Sequence, residues 1–198
     1  MLKFKGEQTT AIIGDHTTIR ECVTINKGTV AMGRTEIGSH CLLMAYVHIA
    51  HDCIIGDHVI LANSVNLAGH VTIEDWAILE GYVGVSQFMH IGAHSFIAGQ
   101  SGVRKNVPPF VKAAREPLSY AGINSVGLAR RGYEKEVIED IQNIYRTIFQ
   151  KGYNTSKALS MVEEECPTSA HRDLILQFVR SSEKGIIRGL SGSMMKTE

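Results

Sequence analysis

The sequence predicts a mainly β protein: a left-handed parallel β-helix of hexapeptide repeats, followed by a small C-terminal α-helical domain. Three observations carry this. Positions 37, 43, 49, 55, 61, 67, 73, 79, 85, 91, 97 and 103 read Ile, Leu, Ile, Ile, Leu, Leu, Ile, Leu, Val, Ile, Ile and Val, twelve branched aliphatics in succession at a spacing of six. Four residues after each of the first eleven stands a modest side chain: Cys41, Val47, Cys53, Val59, Val65, Val71, Ala77, Val83, Met89, Ser95 and Ser101. Further on, the period becomes helical, with Val137, Ile138, Ile141, Ile144, Tyr145, Ile148 and Phe149 on one face. A period of six fits neither a 3.6-residue helix nor strict strand alternation. It fits a triangular coil in which each hexapeptide forms one flat side and its aliphatic points inward. Such coils are usually left-handed, against the right-handed rule for parallel crossovers.

The elements follow in order. The repeat phase already runs at Ile13, Ile19 and Ile25, so residues 1–14 enter without a polar cap. An open end of this kind exposes sheet edges and apolar core; the expectation is a helix that lacks earlier coils. Residues 26–36 break the repeat with Lys27-Gly28 and Met32-Gly33, which reads as a loop thrown out between coils. From Ile37 onward, residues eighteen apart should stack at the inter-strand spacing of about 4.8 Å. The inner columns become Ile37, Ile55, Ile73, Ile91; Leu43, Leu61, Leu79, Ile97; and Ile49, Leu67, Val85, Val103. Each coil buries its aliphatics against its neighbours, so stability is a sum over rungs. Pro108 and Pro109 cannot continue the ladder, which puts the domain boundary at 110. Lys151-Gly152 should stop the first long helix. Thr155 or Ser156 should cap a second, carrying Leu159 and Val162, and Leu174, Ile175, Phe178 and Val179 mark a third. The division is therefore 1–110 for the β-helix, 111–188 for the helical domain and 189–198 for a tail.

Composition narrows the class. Twenty Lys and Arg balance twenty Asp and Glu, which argues against a nucleic-acid partner. There is no apolar run long enough for a membrane span and no signal-peptide pattern. The four cysteines are too few and scattered for a disulfide scaffold. Cys41 and Cys53 take the small inward position, where packing in a reducing cytosol explains them; a cytoplasmic location is expected.

The stacking rule gathers a polar patch. His51 lies under Gly69, which lies under Gln87; Asp52 lies under His70; His48 lies under Asn66 and Gly84. Three readings compete. Histidines are common outward residues on polar β-helix faces. Imidazoles are also good zinc ligands, although a third ligand would be needed here. The third reading is acid–base chemistry, with His51 as base, Asp52 orienting it and the Gly69 N–H stabilising an oxyanion. A second ladder, His40, His58, Trp76 and His94, reads as stacked surface or subunit contact. Two columns lack large side chains: Ala45, Asn63, Gly81, Gly99; and Asn66, Gly84, Gly102. Above the patch they would form a groove for an extended apolar chain, or they sit at tight corners. Residues 124–132, NSVGLARRG, place paired arginines where phosphates or an acidic surface could meet them; a solvated basic turn is the plainer alternative.

The ordered short segments, however, resemble one family. Leu2-Lys3-Phe4 with Gly6-Glu7, the run from Ile19 to Ile25, Gly28-Thr29-Val30, HIAHDC at 48–53 and LAGHV at 67–71 belong to the set. SGV at 101–103, VPPF at 107–110, ARRG at 129–132 and GIIR at 185–188 complete it. Together they are similar to the UDP-N-acetylglucosamine acyltransferases of lipid A synthesis over nearly the whole chain. The resemblance implies transfer of a 3-hydroxyacyl group from acyl carrier protein to the 3-hydroxyl of UDP-N-acetylglucosamine. It implies His51 as base, Asp52 as its partner and Gly69 as oxyanion donor. It implies substrate contacts from Lys3, His48, His70, Gln87, Asn124, Arg130 and Arg131. It implies Gly99 as the residue limiting acyl length, with glycine leaving room for a long chain. It further implies a homotrimer with sites between subunits, no metal, and no cofactor beyond the carrier's phosphopantetheine thioester. The chain departs from the family pattern at Met1, Ser86 and Val126, where acidic, histidine and glutamate residues are usual. Related readings are an N-acyltransferase of the same pathway, a trimeric zinc carbonic anhydrase on this fold, and a non-catalytic scaffold.

Overall fold

The structure is a computed structural model that describes residues 5–189. Lys3 and residues 190–198 lie outside the described residues. Short parallel strands form the three faces of a triangular prism, the left-handed β-helix. Face A holds Thr10–Ile13, Arg34–Ile37, Ile54–Ile55, Thr72–Ile73 and His90–Ile91. Face B holds Thr18–Ile19, Leu42–Leu43, Ile60–Leu61, Ile78–Leu79, Phe96–Ile97, Val111–Ala114 and Ser119–Ile123. Face C holds Thr24–Ile25, His48–Ile49, Asn66–Leu67, Gly84–Val85 and Gly102–Val103.

The register is the expected one. Ile55 pairs with Ile37 and Ile73, Leu61 with Leu43 and Leu79, and Leu67 with Ile49 and Val85. The most exposed of the twelve inward aliphatics, Val85, is 4% exposed, so the period of six is the period of the core. The smaller inward residues are buried too, Cys41 and Cys53 among them. Below Ile37 the stacking interval changes: Thr24 pairs with His48, Thr18 with Leu42 and Thr10 with Arg34, each twenty-four residues on. One extra hexapeptide leaves the wall there. The strand resumes at Arg34, so the excursion is shorter than the expected 26–36; Arg34 and Thr35 are held by pairing with Thr10 and Ala11.

Each corner turns through one residue in the left-handed region. His16, Cys22, His40, Tyr46, Asp52, His58, Ser64, His70, Trp76, Tyr82, Phe88, His94 and Gln100 have φ between 56 and 64°. None is glycine, and Gly69, Gly81, Gly84, Gly99 and Gly102 are not among the positive-φ glycines. Gly69, Gly81 and Gly99 stand at corners but precede the left-handed residue, while Gly84 and Gly102 lie on strands, so left-handed φ does not account for any of them. A side chain in this conformation costs roughly 1–2 kcal/mol. The corner N–H offsets it by donating to the carbonyl one coil below, as from His58 to Ser39, His70 to His51 and Trp76 to Asp57 at 2.9–3.0 Å.

Corner side chains project outward and stack. At the corner between faces A and B the ring centroids of His16 and His40, and of His40 and His58, are 4.9 Å apart. The ladder continues through Trp76 at 3.9 Å and His94 at 6.3 Å to Phe110 at 5.4 Å. Burial, then the Arg131 charge, pushes the His94 imidazole down from 6.5 to about 4. Unfolded chains bind a proton here before folded ones do as pH falls. Stability should therefore decline between pH 6.5 and 4, by roughly 3 kcal/mol at most from this residue. The melting temperature of His94→Gln should depend less on pH across that window; equal slopes for parent and variant would contradict this.

The eighteen-residue register ends between Val103 and Val107, just ahead of Pro108 and Pro109, but the sheet does not. Val107 bridges to Ile91, the prolines turn the corner, and Val111–Ala114 pairs with Phe96 and Ile97 at an offset of sixteen. Ser119–Ile123 then closes the face antiparallel. Sheet pairing thus continues past residue 110 as far as Ile123. Helix α1 spans Ser125–Arg130, α2 Lys135–Phe149, α3 Thr155–Glu165 and α4 Ala170–Ser181. The cap of α3 is Asn154, whose side chain accepts from the Lys157 N–H at 2.9 Å, not Thr155 or Ser156. Ile141, Tyr145, Ile148, Leu159, Val162, Ile175 and Val179 form the helical core. The buried Tyr145 hydroxyl donates to the Pro109 carbonyl, joining that core to the prism. Residues 185–188 return to the prism, where Asn106 donates to Gly185 and Tyr120 to Arg188. Among the described residues no helix is long and apolar enough to cross a membrane.

Candidate active site

The corner between faces C and A carries the segment HIAHDC. Ile49 and Cys53 point into the core, both 0% exposed, which leaves His51 and Asp52 at the corner. In an ordinary coil the Asp52 N–H would donate to a carbonyl beneath it. The excursion interrupts the coil below, and the Thr35 hydroxyl accepts that N–H instead, at 2.8 Å. The carboxylate is fully buried under the same loop. Thr29 holds both of its oxygens: the Thr29 N–H donates to Oδ1 at 2.7 Å and the hydroxyl to Oδ2 at 2.6 Å. The hydroxyl accepts the Ala31 N–H at 3.2 Å, so its proton is directed at Asp52. Gly28 permits the fold of this loop, since a Cβ there would meet Arg34 backbone atoms at 2.3–2.6 Å.

His51 Nδ1 lies 2.8 Å from Asp52 Oδ2. A carboxylate accepts only, so the network assigns the imidazole proton to Nδ1 and leaves the Nε2 lone pair free. Burial pushes the Asp52 carboxyl up. The Thr29 hydroxyl and amide, His51 and then the nearby His70 outweigh it and hold the carboxyl below its usual 3.8.

Gly69 lies over the His51 ring. A Cβ at Gly69 would stand 2.6 Å from His51 Cε1 and 2.8 Å from Nε2, so the close approach of imidazole and backbone requires glycine there. The amide beside each corner residue points outward. At Ser39, Asp57, Ala93 and Gly99 a carboxylate accepts it: Asp57, Asp75, Glu74 and Glu80, at 2.7–3.0 Å. The Gly69 amide has no acceptor among the described residues, while Ala68 and His70 on either side donate to Val85 and His51. An imidazole lone pair and an open N–H donor therefore sit side by side. Gly69→Ala should displace the ring and lower kcat by about 10²–10³, the scale of losing an oxyanion donor, with the melting temperature little changed. Turnover at the parent rate would contradict this geometry.

His70 completes the cluster. Its Nε2 is 3.5 Å from Asp52 Oδ2, its ring is edge-on to His51 at 5.2 Å, and Phe88 stacks on it at 4.7 Å. His51, Asp52 and His70 offer ligand atoms within 4.8 Å of one another. The Asp52 oxygens are already occupied by Thr29 and His51, so the set has the form of a hydrogen-bonded relay, not of an open ligand set. The neighbouring thiol cannot serve as nucleophile: burial pushes Cys53 up to about 11.

The remaining candidates separate. His48 belongs to face C, with Nδ1 2.7 Å from the Thr24 hydroxyl, and Gln87 is exposed one coil above Gly69. Of the two glycine columns, only that of Asn66, Gly84 and Gly102 stands above part of the patch, stacked on His48. Asn66, Gly84 and Gly102 lie on face C, and Gly81 and Gly99 lie at the corner between faces B and C. A Cβ on Gly84 would meet nothing within 4 Å, whereas Gly99 donates to Glu80, so a carboxylate stands where an open apolar slot was expected. Asn124 is buried as the cap of α1, accepting from Gly127 and donating to the His94 carbonyl at 2.9 Å. The arginine pair divides. Arg131 donates to the Trp76 carbonyl at 3.0 Å and lies over its ring; Arg130 is exposed beside Ile78, Phe96 and Lys112. Thr29, Thr35 and Phe88 were not singled out by the sequence. The one signal for Thr29 was its place in the Gly28-Thr29-Val30 segment.

Comparison with known proteins identifies the family. Residues 106–187 match the family described as UDP N-acetylglucosamine O-acyltransferase, domain 2, and residues 34–69 match the bacterial transferase hexapeptide family. The acyl-[acyl-carrier-protein]–UDP-N-acetylglucosamine O-acyltransferase of Pseudomonas syringae is 45% identical over 188 residues, covering 94% of this chain and 73% of its own length. The protein of that name from Halorhodospira halophila is 44% identical over 186 residues, covering 93% and 72%. Among solved structures, the UDP-N-acetylglucosamine acyltransferase of Bacteroides fragilis superposes with a TM-score of 0.93 at 50% identity, covering 95% of this chain and 74% of the other. That of Francisella novicida gives 0.92 at 38% identity, covering 96% and 71%.

Proposed function

The chain belongs to the acyl-[acyl-carrier-protein]–UDP-N-acetylglucosamine O-acyltransferase family, and from that premise we propose that it moves a 3-hydroxyacyl group from acyl carrier protein to the 3-hydroxyl of UDP-N-acetylglucosamine, the first step of lipid A biosynthesis. The observation that carries the mechanism is the juxtaposition of the free His51 Nε2 with the unaccepted Gly69 amide. His51 Nε2 takes the proton of the sugar hydroxyl as its oxygen attacks the thioester carbonyl. The carbonyl oxygen becomes an oxyanion that accepts from the Gly69 N–H. Collapse of the tetrahedral species breaks the carbon–sulfur bond, and the phosphopantetheine thiolate leaves with the proton returned by the imidazolium. The thioester is already activated, so the chemistry calls for no resident metal, cofactor or enzyme nucleophile.

His48, His70 and Gln87 stand at this corner or on face C beside it and, with Arg130 on face B, take the substrate-contacting roles in the reading; Asn124 and Arg131 shape the wall that Arg130 stands on. Tyr46 and Tyr82, 61% and 67% exposed at one corner, support assembly into a homotrimer by burial of those aromatic faces. The reading places the enzyme in the cytoplasm, where the acyl carrier protein donor is made. The test is an acyl-transfer assay by mass spectrometry with 3-hydroxyacyl carrier thioesters of several lengths. An ester product on UDP-N-acetylglucosamine is expected. Product only with a 3-amino sugar acceptor, or none with either, would overturn the reading.

A further inference from the structure

We propose that Thr29 is a positioning residue for the transfer reaction: its amide and hydroxyl, holding both oxygens of Asp52, fix the carboxylate that orients the His51 imidazole. The proposal rests on the reading of His51 as the base.

Three observations carry it. The excursion that delivers Thr29 is an extra hexapeptide inserted directly below Asp52, where a regular coil would run. It replaces the ordinary corner contacts of Asp52 with three hydroxyl and amide contacts, from Thr35 and Thr29. The Thr29 hydroxyl has no rotational choice, because the Ala31 N–H occupies its acceptor side and leaves the proton facing Asp52. Thr29 is also half-buried on a loop and is not among the side chains of the hydrophobic core, so packing does not explain it. A buried carboxylate with one free oxygen could turn about its Cβ–Cγ bond; one held at both oxygens presents Oδ2 to Nδ1 in a single geometry.

The titratable groups facing the Asp52 carboxylate are His51 on its own corner and His70 on the corner above. The Cys53 thiol, next in the chain, points into the core beside the Ala68 carbonyl. Removing the Thr29 hydroxyl takes away a bond that favours the ionised carboxylate, so Asp52 would gain a proton at higher pH than in the parent. A protonated Asp52 is a weaker acceptor for His51 Nδ1, so the hold on the imidazole loosens and activity on the acid side falls earlier.

The experiment compares Thr29→Val, Thr29→Ser and the parent in the full chain. For Thr29→Val, kcat should fall about tenfold with KM for UDP-N-acetylglucosamine nearly unchanged, and the acid limb of the kcat profile should move to higher pH. Thr29→Ser should restore both. A Val variant with parental kcat and acid limb overturns the proposal, as does a Ser variant no better than Val. Thr29→Ala is the substitute if the Val form does not fold. If neither folds while Ser does, the hydroxyl serves the fold alone and the proposal fails. Carbon-13 titration of the Asp52 carboxyl reads the same contact without turnover. A parent that transfers nothing would sink the functional reading, while an Asp52 titration identical in parent and Val variant would sink the role of Thr29.

Discussion

Replacing His51 by alanine is expected to lower kcat by about 10²–10⁴ and to leave KM for UDP-N-acetylglucosamine within a few-fold. The imidazole is a base whose lone pair faces an open backbone donor, the Gly69 N–H. Its side chain is 21% exposed at a corner and contributes nothing to the inner columns, so the coil should remain intact. A thermal melt alongside the assay separates loss of chemistry from loss of fold. Parental turnover in the alanine variant would remove the base from the mechanism.

Asp52→Asn should cost about as much, on the order of 10²–10⁴ in kcat. The carboxylate accepts from four donors or near-donors: the Thr29 N–H, the Thr29 hydroxyl, His51 Nδ1 and, more distantly, His70 Nε2. An amide offers one oxygen and one NH₂ to the same set. If its oxygen faces Thr29 N–H, its NH₂ faces the Thr29 hydroxyl and His51, and the imidazole must turn its lone pair inward. The proton then sits on Nε2, where the base is needed. The opposite flip sets the NH₂ against the Thr29 amide in a buried site, at about 1–3 kcal/mol of stability. Because His51 and Asp52 act as one unit, the double variant should be scarcely slower than His51→Ala alone. Multiplied losses in the double variant would show that Asp52 works independently of His51.

The parts of this molecule that repeat were readable before any coordinates. Ile55 sees the same surroundings as Ile37 and Ile73, so the period of six gave the inner columns, and a step of eighteen put His51 under Gly69. The arithmetic fails where the chain leaves the wall. The extra hexapeptide below Asp52 shifts the interval to twenty-four, and no periodic rule reports that Thr29 folds back onto a carboxylate. The corner geometry was obscured for another reason. A left-handed φ usually announces itself as glycine, yet here histidine, tyrosine and tryptophan hold it, because the ladder hydrogen bond and ring stacking compensate. Glycines therefore do not mark the left-handed corner positions in this chain. The structural contacts of Asn124 and Arg131 were not legible, because a helix of six residues leaves little pattern. The structure commits one to a helix cap and the other to the aromatic ladder.

A crystal structure of the protein with UDP-N-acetylglucosamine is the most direct test of the pairing between His51 and Gly69. The account predicts the sugar 3-hydroxyl within about 2.6–3.2 Å of His51 Nε2, with the Gly69 N–H turned toward the space where the acyl carbonyl would lie. A sugar bound with that hydroxyl away from His51, or a Gly69 amide sealed by a protein acceptor, would contradict it.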